Sequence, residues 1–298
     1  QHPWFATVDP GVVYVLMEMR QETDYVLHHA QKILAIFAAM RDLASVLAQA
    51  GHRVFYLAID DPENTQTLPG NLTALLSHHD CKNFEYQSPD EYRLSQQLQS
   101  FCVVDLAGAG VKSAEADSEH FYTHRHEAAT LFAGRKQWLM EYFYRHMRVR
   151  HRVLIDGADK PAGGQWNLDA DNRKPWKGTP PEPPDTRPMH DHSALWQTIE
   201  AAGVRSFGKP QAAQFRWPLN RPEALHQLGT FIDHVLPHFG DHQDAMSALH
   251  WRLFHSLLSF ALNTKMLNPR EVVSRAEGSY RSGAAPLAAV EGFIRQIL

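Results

Sequence analysis

Val12-Val13-Tyr14-Val15-Leu16 is an unbroken run of β-branched and large apolar residues, the pattern of a strand covered on both faces. Thr23-Asp24 offers a cap. From His28 to Gln49 the positions Ile33, Phe37, Met40, Ala44 and Leu47 recur at three-and-four spacing, which predicts one long helix closed by Gly51. Arg53 to Ile59 predicts the next strand. Strand, long helix, strand is a βαβ unit, and its crossover requires parallel pairing. The alternation then weakens: Asn71 to His79 reads as helix, Asn83 to Tyr86 as extended and Glu91 to Phe101 as helix, while Val103 to Leu106 stays open. Residues 1–155 are therefore expected to form an α/β domain on a Rossmann-like parallel sheet. Residues 156–192 carry Pro161, Pro175, Pro180, Pro181, Pro183, Pro184 and Pro188 among several glycines, a density that no helix or central strand survives. That stretch reads as a linker. Beyond it, residues 193–298 turn helical in pattern, at Leu195 to Ala202, Pro222 to Val235, Ala245 to Leu262 and Pro269 to Tyr280.

Composition narrows the function more than the fold. A chain of 298 residues holds about two domains at roughly 100–200 residues each. Lys and Arg number 29 against 33 Asp and Glu, a net charge of −4, so any polyanion would have to be met by a local basic patch. No apolar run is long enough for a membrane span. With Cys81 and Cys102 alone, this chain cannot build a disulfide framework or a four-cysteine cluster, and a reducing cytoplasm is the simplest expectation. The opening Gln1-His2-Pro3 shows no initiator Met or signal pattern, and Phe293 to Leu298 lies within an apolar helical period; both ends read as cut.

Candidate chemistry is uneven. Gly108-Ala109-Gly110 lacks the third glycine and the strand-to-helix setting of a nucleotide loop. His78-His79-Asp80-Cys81 and His190-Asp191-His192 have no second half-site at ligand spacing and read as solvated loops. His28-His29, with Glu22 and Asp24 a turn upstream, fits either a polar pocket at the sheet's edge or a helix cap. From Arg135 to Arg152, one stripe of Leu139, Phe143 and Met147 runs beside another of Arg145, Arg148 and Arg152, which predicts an apolar inner face and an arginine outer face suited to phosphates or to plain solvent. Gly163 to Arg173 reads as a loop fixed by side-chain hydrogen bonds. His255-Ser256-Leu257-Leu258-Ser259 sits early in an expected helix, where hydroxyls and free backbone N–H groups can hold a phosphate or simply cap.

In order, these segments resemble one family. Tyr25 to Ile33, Ala39-Met40-Arg41 and Tyr56 to Asp61 are similar to the start of a cryptochrome/photolyase-related protein of the bacterial branch that carries an iron–sulfur cluster and repairs (6-4) photoproducts. Met140 to Arg148, Gly163 to Asn167, Gln243-Asp244-Ala245-Met246, His255 to Ser259 and Val290 to Ile297 continue the likeness. The resemblance implies an antenna-type α/β domain, a long linker and the start of an all-α domain that binds FAD. It also implies light-driven electron transfer to damaged DNA by a lyase, and the same motifs leave open a cryptochrome-type photoreceptor; a free-standing pigment- or nucleotide-binding module is the third reading. By match to the family's motifs, His255, Ser256, Leu258, Ser259 and Gln296 would lie along FAD, Glu22 would touch a lumazine-type antenna pigment, and Asp169 and Asp244 would hold a divalent cation. The stripe of Arg145, Arg148 and Arg152 then becomes a candidate DNA contact.

Two departures qualify the likeness. The family's opening strand and its Ile-Leu-Gly-Asp-Gln-Leu-like loop have no counterpart here, which removes an Asp expected at the antenna pigment. The family's 4Fe-4S cysteines lie beyond the matched motifs, and neither Cys81 nor Cys102 corresponds to one. A portion of this kind is expected to be inactive alone and to expose helix faces after Ala245, inviting dimerisation.

Overall fold

In the computed structural model, which describes residues 2–298, the chain divides into two compact units, Gln1–Glu119 with Pro188–Leu219 and His120–Arg187 with Asn220–Leu298. The first opens on strand β1 (Val13–Met17), short helix α1 (Arg20–Asp24), long helix α2 (Ala30–Gln49) and strand β2 (Arg53–Leu57). β1 and β2 pair in parallel, Val13 opposite Arg53 through Met17 opposite Leu57, as the crossover requires. His29 starts α2 as its N-cap, its Nδ1 accepting from Gln31 N at 3.1 Å, and Gly51 at φ +92° follows the helix end. Capping is thus what the structure shows for His29, while His28 is buried, with Lys32 Nζ 3.2 Å from its Nδ1.

Helix α3 (Leu68–His78), strand β3 (Asn83–Gln87), helix α4 (Tyr92–Phe101) and strand β4 (Lys112–Ala116) complete this stretch. β3 and β4 form a second parallel pair. The result is a mixed arrangement of helices and small parallel sheets; among the described residues the ladders stay two-stranded rather than merging into one Rossmann-like sheet. Composition gives the reason. A central parallel strand is apolar on both faces, whereas Asn83-Phe84-Glu85-Tyr86-Gln87 and Lys112-Ser113-Ala114-Glu115-Ala116 are largely polar. β1 also departs from expectation, since all five of its residues are half-buried. The open stretch from Val103 to Leu106 is a π-turn continuing α4, and it leaves Val103 and Val104 exposed.

The end of β1 is fastened by Glu18, which is fully buried. Arg41 of α2 donates to its Oε1 at 2.7 Å and to its Oε2 at 3.0 Å, the Tyr56 hydroxyl donates at 2.6 Å and the Ile59 N–H at 2.8 Å. Burial, then the bond to Glu18, pushes the Tyr56 hydroxyl's pKa well up. One carboxylate therefore ties strand, helix and the loop after β2 together.

The second unit begins with α5 (Glu127–Leu131), α6 (Met140–His151) and a tight hairpin of β5 (Ile155–Asp156) and β6 (Lys160–Pro161). After the linker, α7 (Ser193–Ala201) belongs to the first unit. α8 (Arg221–Thr230), α9 (Leu236–His242), α10 (Ser259–Asn263), α11 (Pro269–Arg281) and α12 (Leu287–Ile294) build the core of the second unit. α8 runs into α9 through a π-turn at Phe231–Val235. Phe231, Phe239 and Phe293 meet there, with Phe231 and Phe293 ring centres 4.5 Å apart. α9 crosses α12 at Gly240, where a Cβ would lie 2.8 Å from Ala289 Cα and 2.3 Å from Asn172 Oδ1. Only glycine fits that approach.

The helix expected from Ala245 to Leu262 is reduced to α10. Leu253 (φ +49°) and Leu257 (φ +57°) break it, yet Leu253, Phe254 and Leu258 are buried at a spacing that imitates a helix. The broken stretch and the linker bond to each other instead: Glu182 accepts from Leu253 N at 3.0 Å and pairs with His250, and the Arg252 side chain donates to the linker carbonyls of Pro183 and Pro184. Burial opposes ionisation of Glu182, but the bonds from His250 and Leu253 N hold its pKa below the usual value. The expected exposure of helix faces after Ala245 is also corrected. From Ala289 to Ile294 every residue of α12 is buried, and the exposed large apolar residues of this region are Met246, Leu249 and Trp251, all in the loop. No helix among the described residues is long and apolar enough to cross a membrane.

Replacing Glu18 by Ala leaves Arg41, the Tyr56 hydroxyl and Ile59 N without their acceptor, and should destabilise the chain by about 3 kcal/mol in a urea titration. A loss below about 0.5 kcal/mol, the range of an ordinary surface change, would show that this junction is not fastened by the carboxylate.

Candidate nucleic-acid interface and cofactor segments

Helix α6 carries the arginines expected to face phosphate. Its buried side is Tyr144, Met147 and Arg148, rotated from the predicted stripe, and Leu139 before the helix is 44% exposed. Arg148 is 0% exposed and so is not an outer-face residue. Its guanidinium donates to Leu154 O at 2.6 Å, Trp166 O at 3.1 Å and Val153 O at 3.3 Å, satisfying carbonyls just past the helix end and in the linker. The remaining arginines are outward but partnered. Arg145 meets Glu141 at 2.8 Å, Arg150 pairs with Glu127, and Arg152, in the left-handed conformation at the helix end, meets Asp159 at 2.6 Å and Gly157 O at 3.0 Å. The arginine face is thus interleaved with carboxylates, and its pull on a polyanion is weaker than the sequence spacing suggests.

The linker loop is ordered by side chains, as its composition predicts. Asn167 Oδ1 accepts from Asp169 N at 2.8 Å, the buried Glu291 of α12 accepts from Leu168 N at 3.2 Å, and Asn172 donates to Ala288 O at 3.1 Å. Two expected site residues come together here. Asp169 binds Arg295 Nη2 at 2.7 Å through Oδ1 and Arg173 Nη2 at 2.6 Å through Oδ2, and Arg173 Nε lies 3.1 Å from Asp244 Oδ2. Arg295 also approaches Glu291 Oε1 at 3.7 Å. Burial alone would lower the pKa of Arg295, but Glu291 and Asp169 raise it. The line Glu291, Arg295, Asp169, Arg173, Asp244 alternates in sign from the interior to the surface.

That arrangement does not fit the expected divalent cation. Both Asp169 oxygens and one of Asp244 are engaged by guanidinium groups, and a hard cation needs several free oxygen ligands. Among the described residues no three His, Cys, Asp or Glu side chains converge as a metal site.

The residues matched to a flavin are more scattered. His255 and Ser259 are exposed, Ser256 is half-buried with its Oγ accepting from Leu258 N at 3.4 Å, and Leu258 is in the core. Gln296 is exposed, its Nε2 3.5 Å from Gln243 Oε1. Hydroxyls beside an irregular backbone suit the phosphate end of a dinucleotide, so this segment offers one polar edge of such a site and not an enclosure. In the first unit, Glu22 is bound by Arg93 at 2.7 and 3.2 Å and by Gln21. Glu22 does not line the cavity of about 580 Å³ in that unit, which lies where β1 and β2 end, between Arg20, Asp60, Asp61 and Gln66 on one side and Gln197 and Thr198 of α7 on the other. Strand ends are where α/β sheets bind ligands. A pocket at the sheet's edge was one of the two readings of His28-His29, but its lining is different, and the part from α7 was not foreseen because that helix comes more than a hundred residues after Asp61 in the chain.

Residues 1–217 match the deoxyribodipyrimidine photo-lyase-related protein family. The chain belongs to that family. It is 38% identical over 292 residues to a (6-4) photolyase of Agrobacterium fabrum strain C58, covering 95% of this chain and 55% of the relative. A bacterial class III photolyase from Agrobacterium tumefaciens, known from its crystal structure, shares the fold with a TM-score of 0.56 at 15% identity, over 96% of this chain and 50% of its own. The chain thus spans about half the length of the relatives it matches.

Within this family frame, Arg173, Glu291 and Arg295 are the polar residues that inspection of motifs did not single out as site residues. Their signal was present as carboxylate–arginine pairs four apart, Asp169 with Arg173 and Glu291 with Arg295. Replacing Arg148 by Ala leaves Val153 O and Trp166 O without this donor, while Leu154 O keeps Ala162 N, and should cost about 3 kcal/mol, whereas Arg145→Ala should change stability by about 0.5 kcal/mol or less. Equal effects of the two variants on thermal unfolding would contradict the division between inner and outer arginines.

Proposed function

We propose that this chain is a portion of a light-driven DNA-repair lyase that acts on (6-4) pyrimidine photoproducts in the cytoplasm. The observation that carries the reading is the 38% identity to a (6-4) photolyase across nearly the whole chain, which fold likeness alone would not supply. In this reading FAD, when bound, supplies the electron that reverses the lesion. The tasks assigned to this chain are narrower. His255, Ser256, Leu258, Ser259 and Gln296 would form one edge of the flavin site, and Arg145 and Arg152 would meet phosphates of the damaged strand. Arg148 would act from inside by fixing the carbonyls that shape the linker. An antenna pigment near Glu22 would have to share that carboxylate with Arg93. Cys81 and Cys102 are both free thiols.

The test is repair of an oligonucleotide bearing one (6-4) lesion, under blue light, by a polypeptide that contains these residues together with the remaining length found in the relatives. Lesion loss that requires light is expected. A protein that binds flavin and responds to light without removing the lesion would instead be a photoreceptor. In the same protein, Arg145→Ala and Arg152→Ala should each lower the slope of log affinity against log salt by about 1, the mark of a lost phosphate contact. Unchanged slopes would remove these residues from the interface.

A further inference from the structure

The pairing of Arg173 with two carboxylates is more than a surface ion pair. Its backbone is fixed, since Arg173 N donates to Gly240 O at 3.0 Å and the neighbouring Lys174 N donates to Asp241 O, both at the end of α9. Its φ is +71°, a left-handed conformation disfavoured for an arginine and sustained here by those bonds. The side chain is thereby delivered between Asp169, which is anchored from behind by Arg295, and Asp244, which follows α9. Charge along the line sums to −1, from three carboxylates and two guanidinium groups. Without Arg173 it would be −2, with Asp244 59% exposed and Asp169 27% exposed at the outer end.

We propose that Arg173 is the built-in counter-cation of the Asp169–Asp244 pair, occupying the place a divalent ion would take and excluding one while it is there. Two like charges cannot share these oxygens: a divalent cation within ligand distance of Asp169 Oδ2 would lie against the guanidinium bonded to the same atom. The ion and the arginine are therefore mutually exclusive at this position. Any anion that drew Arg173 away would expose both carboxylates together, so anion and cation binding would be coupled and the coupling reciprocal.

Mn2+ serves as the probe, with bound and free ion separated by electron paramagnetic resonance in the 298-residue chain. The unaltered protein should show no binding that depends on Asp244. Arg173→Gln should bind one Mn2+ at least about tenfold more tightly than the unaltered chain, since a positive charge within ligand range has gone. Arg173→Lys, which keeps the charge, should not gain the ion, and Arg173→Gln combined with Asp244→Asn should lose it. Arg173 is 53% exposed, and circular dichroism of each variant verifies that it is folded. The proposal is overturned by Asp244-dependent Mn2+ binding to the unaltered chain, by failure of folded Arg173→Gln to gain it, or by a gain that survives Asp244→Asn. None of these outcomes depends on DNA binding, so this inference and the proposed repair function fail separately.

Discussion

A Pro- and Gly-rich linker has no periodic hydrogen bonding of its own, so its conformation depends on side chains supplied from elsewhere. In the second unit that supply comes chiefly from α12 and the end of α9. Glu291, at zero exposure, binds Leu168 N, Arg295 carries the charge outward to Asp169, and Gly240 lets α9 close on α12 with Asn172 wedged against them. A buried carboxylate is costly unless it is paired and hydrogen-bonded, and Glu291 has both a backbone donor and a guanidinium nearby. What the linker presents to the surface, from Asp169 to Arg173, is positioned by that buried contact together with the bonds of Asn172 to Ala288 O and of Arg173 N to Gly240 O.

The first unit solves a similar problem with Glu18. Two-stranded parallel ladders are weak on their own, and the loops at their C-terminal ends carry backbone groups that the sheet does not satisfy. Glu18 binds Arg41, Tyr56 and Ile59 N at that edge, beside the cavity formed with α7. The two buried carboxylates therefore play parallel roles: each accepts a backbone N–H from an irregular segment and lies beside an arginine.

Periodicity made the long elements legible. α2, α4 and α11 appear within a few residues of the predicted spans, because each has an apolar face or end signals, such as the Asn268–Glu271 capping box of α11, that act locally. Polar strands β3 and β4 and the broken run after Ala245 were less legible. In β4 no apolar alternation marks the strand; its parallel partner does. Between Ala245 and Leu258 the apolar residues keep helical spacing, but Leu253 N bonds to Glu182 and the Arg252 side chain to the carbonyls of Pro183 and Pro184, all far away in sequence. Arg148 shows the same limit at a single side chain. Its spacing placed it with Arg145 and Arg152, yet two carbonyls just past the helix end and a third in the linker satisfy its guanidinium in the interior.

By itself, the sequence determined the family, through ordered motifs that survive as residue identities, and the existence of its main helices, through local spacing and caps. Tertiary structure alone decided which charges are free to act. Asp169 and Asp244 are recognisable as carboxylates in the chain, but whether they face a metal, a phosphate or an arginine depends on Arg173 and Arg295 arriving from their own segments. Charge interactions are set by distances of a few ångströms and by burial, and neither is a property of position along a chain.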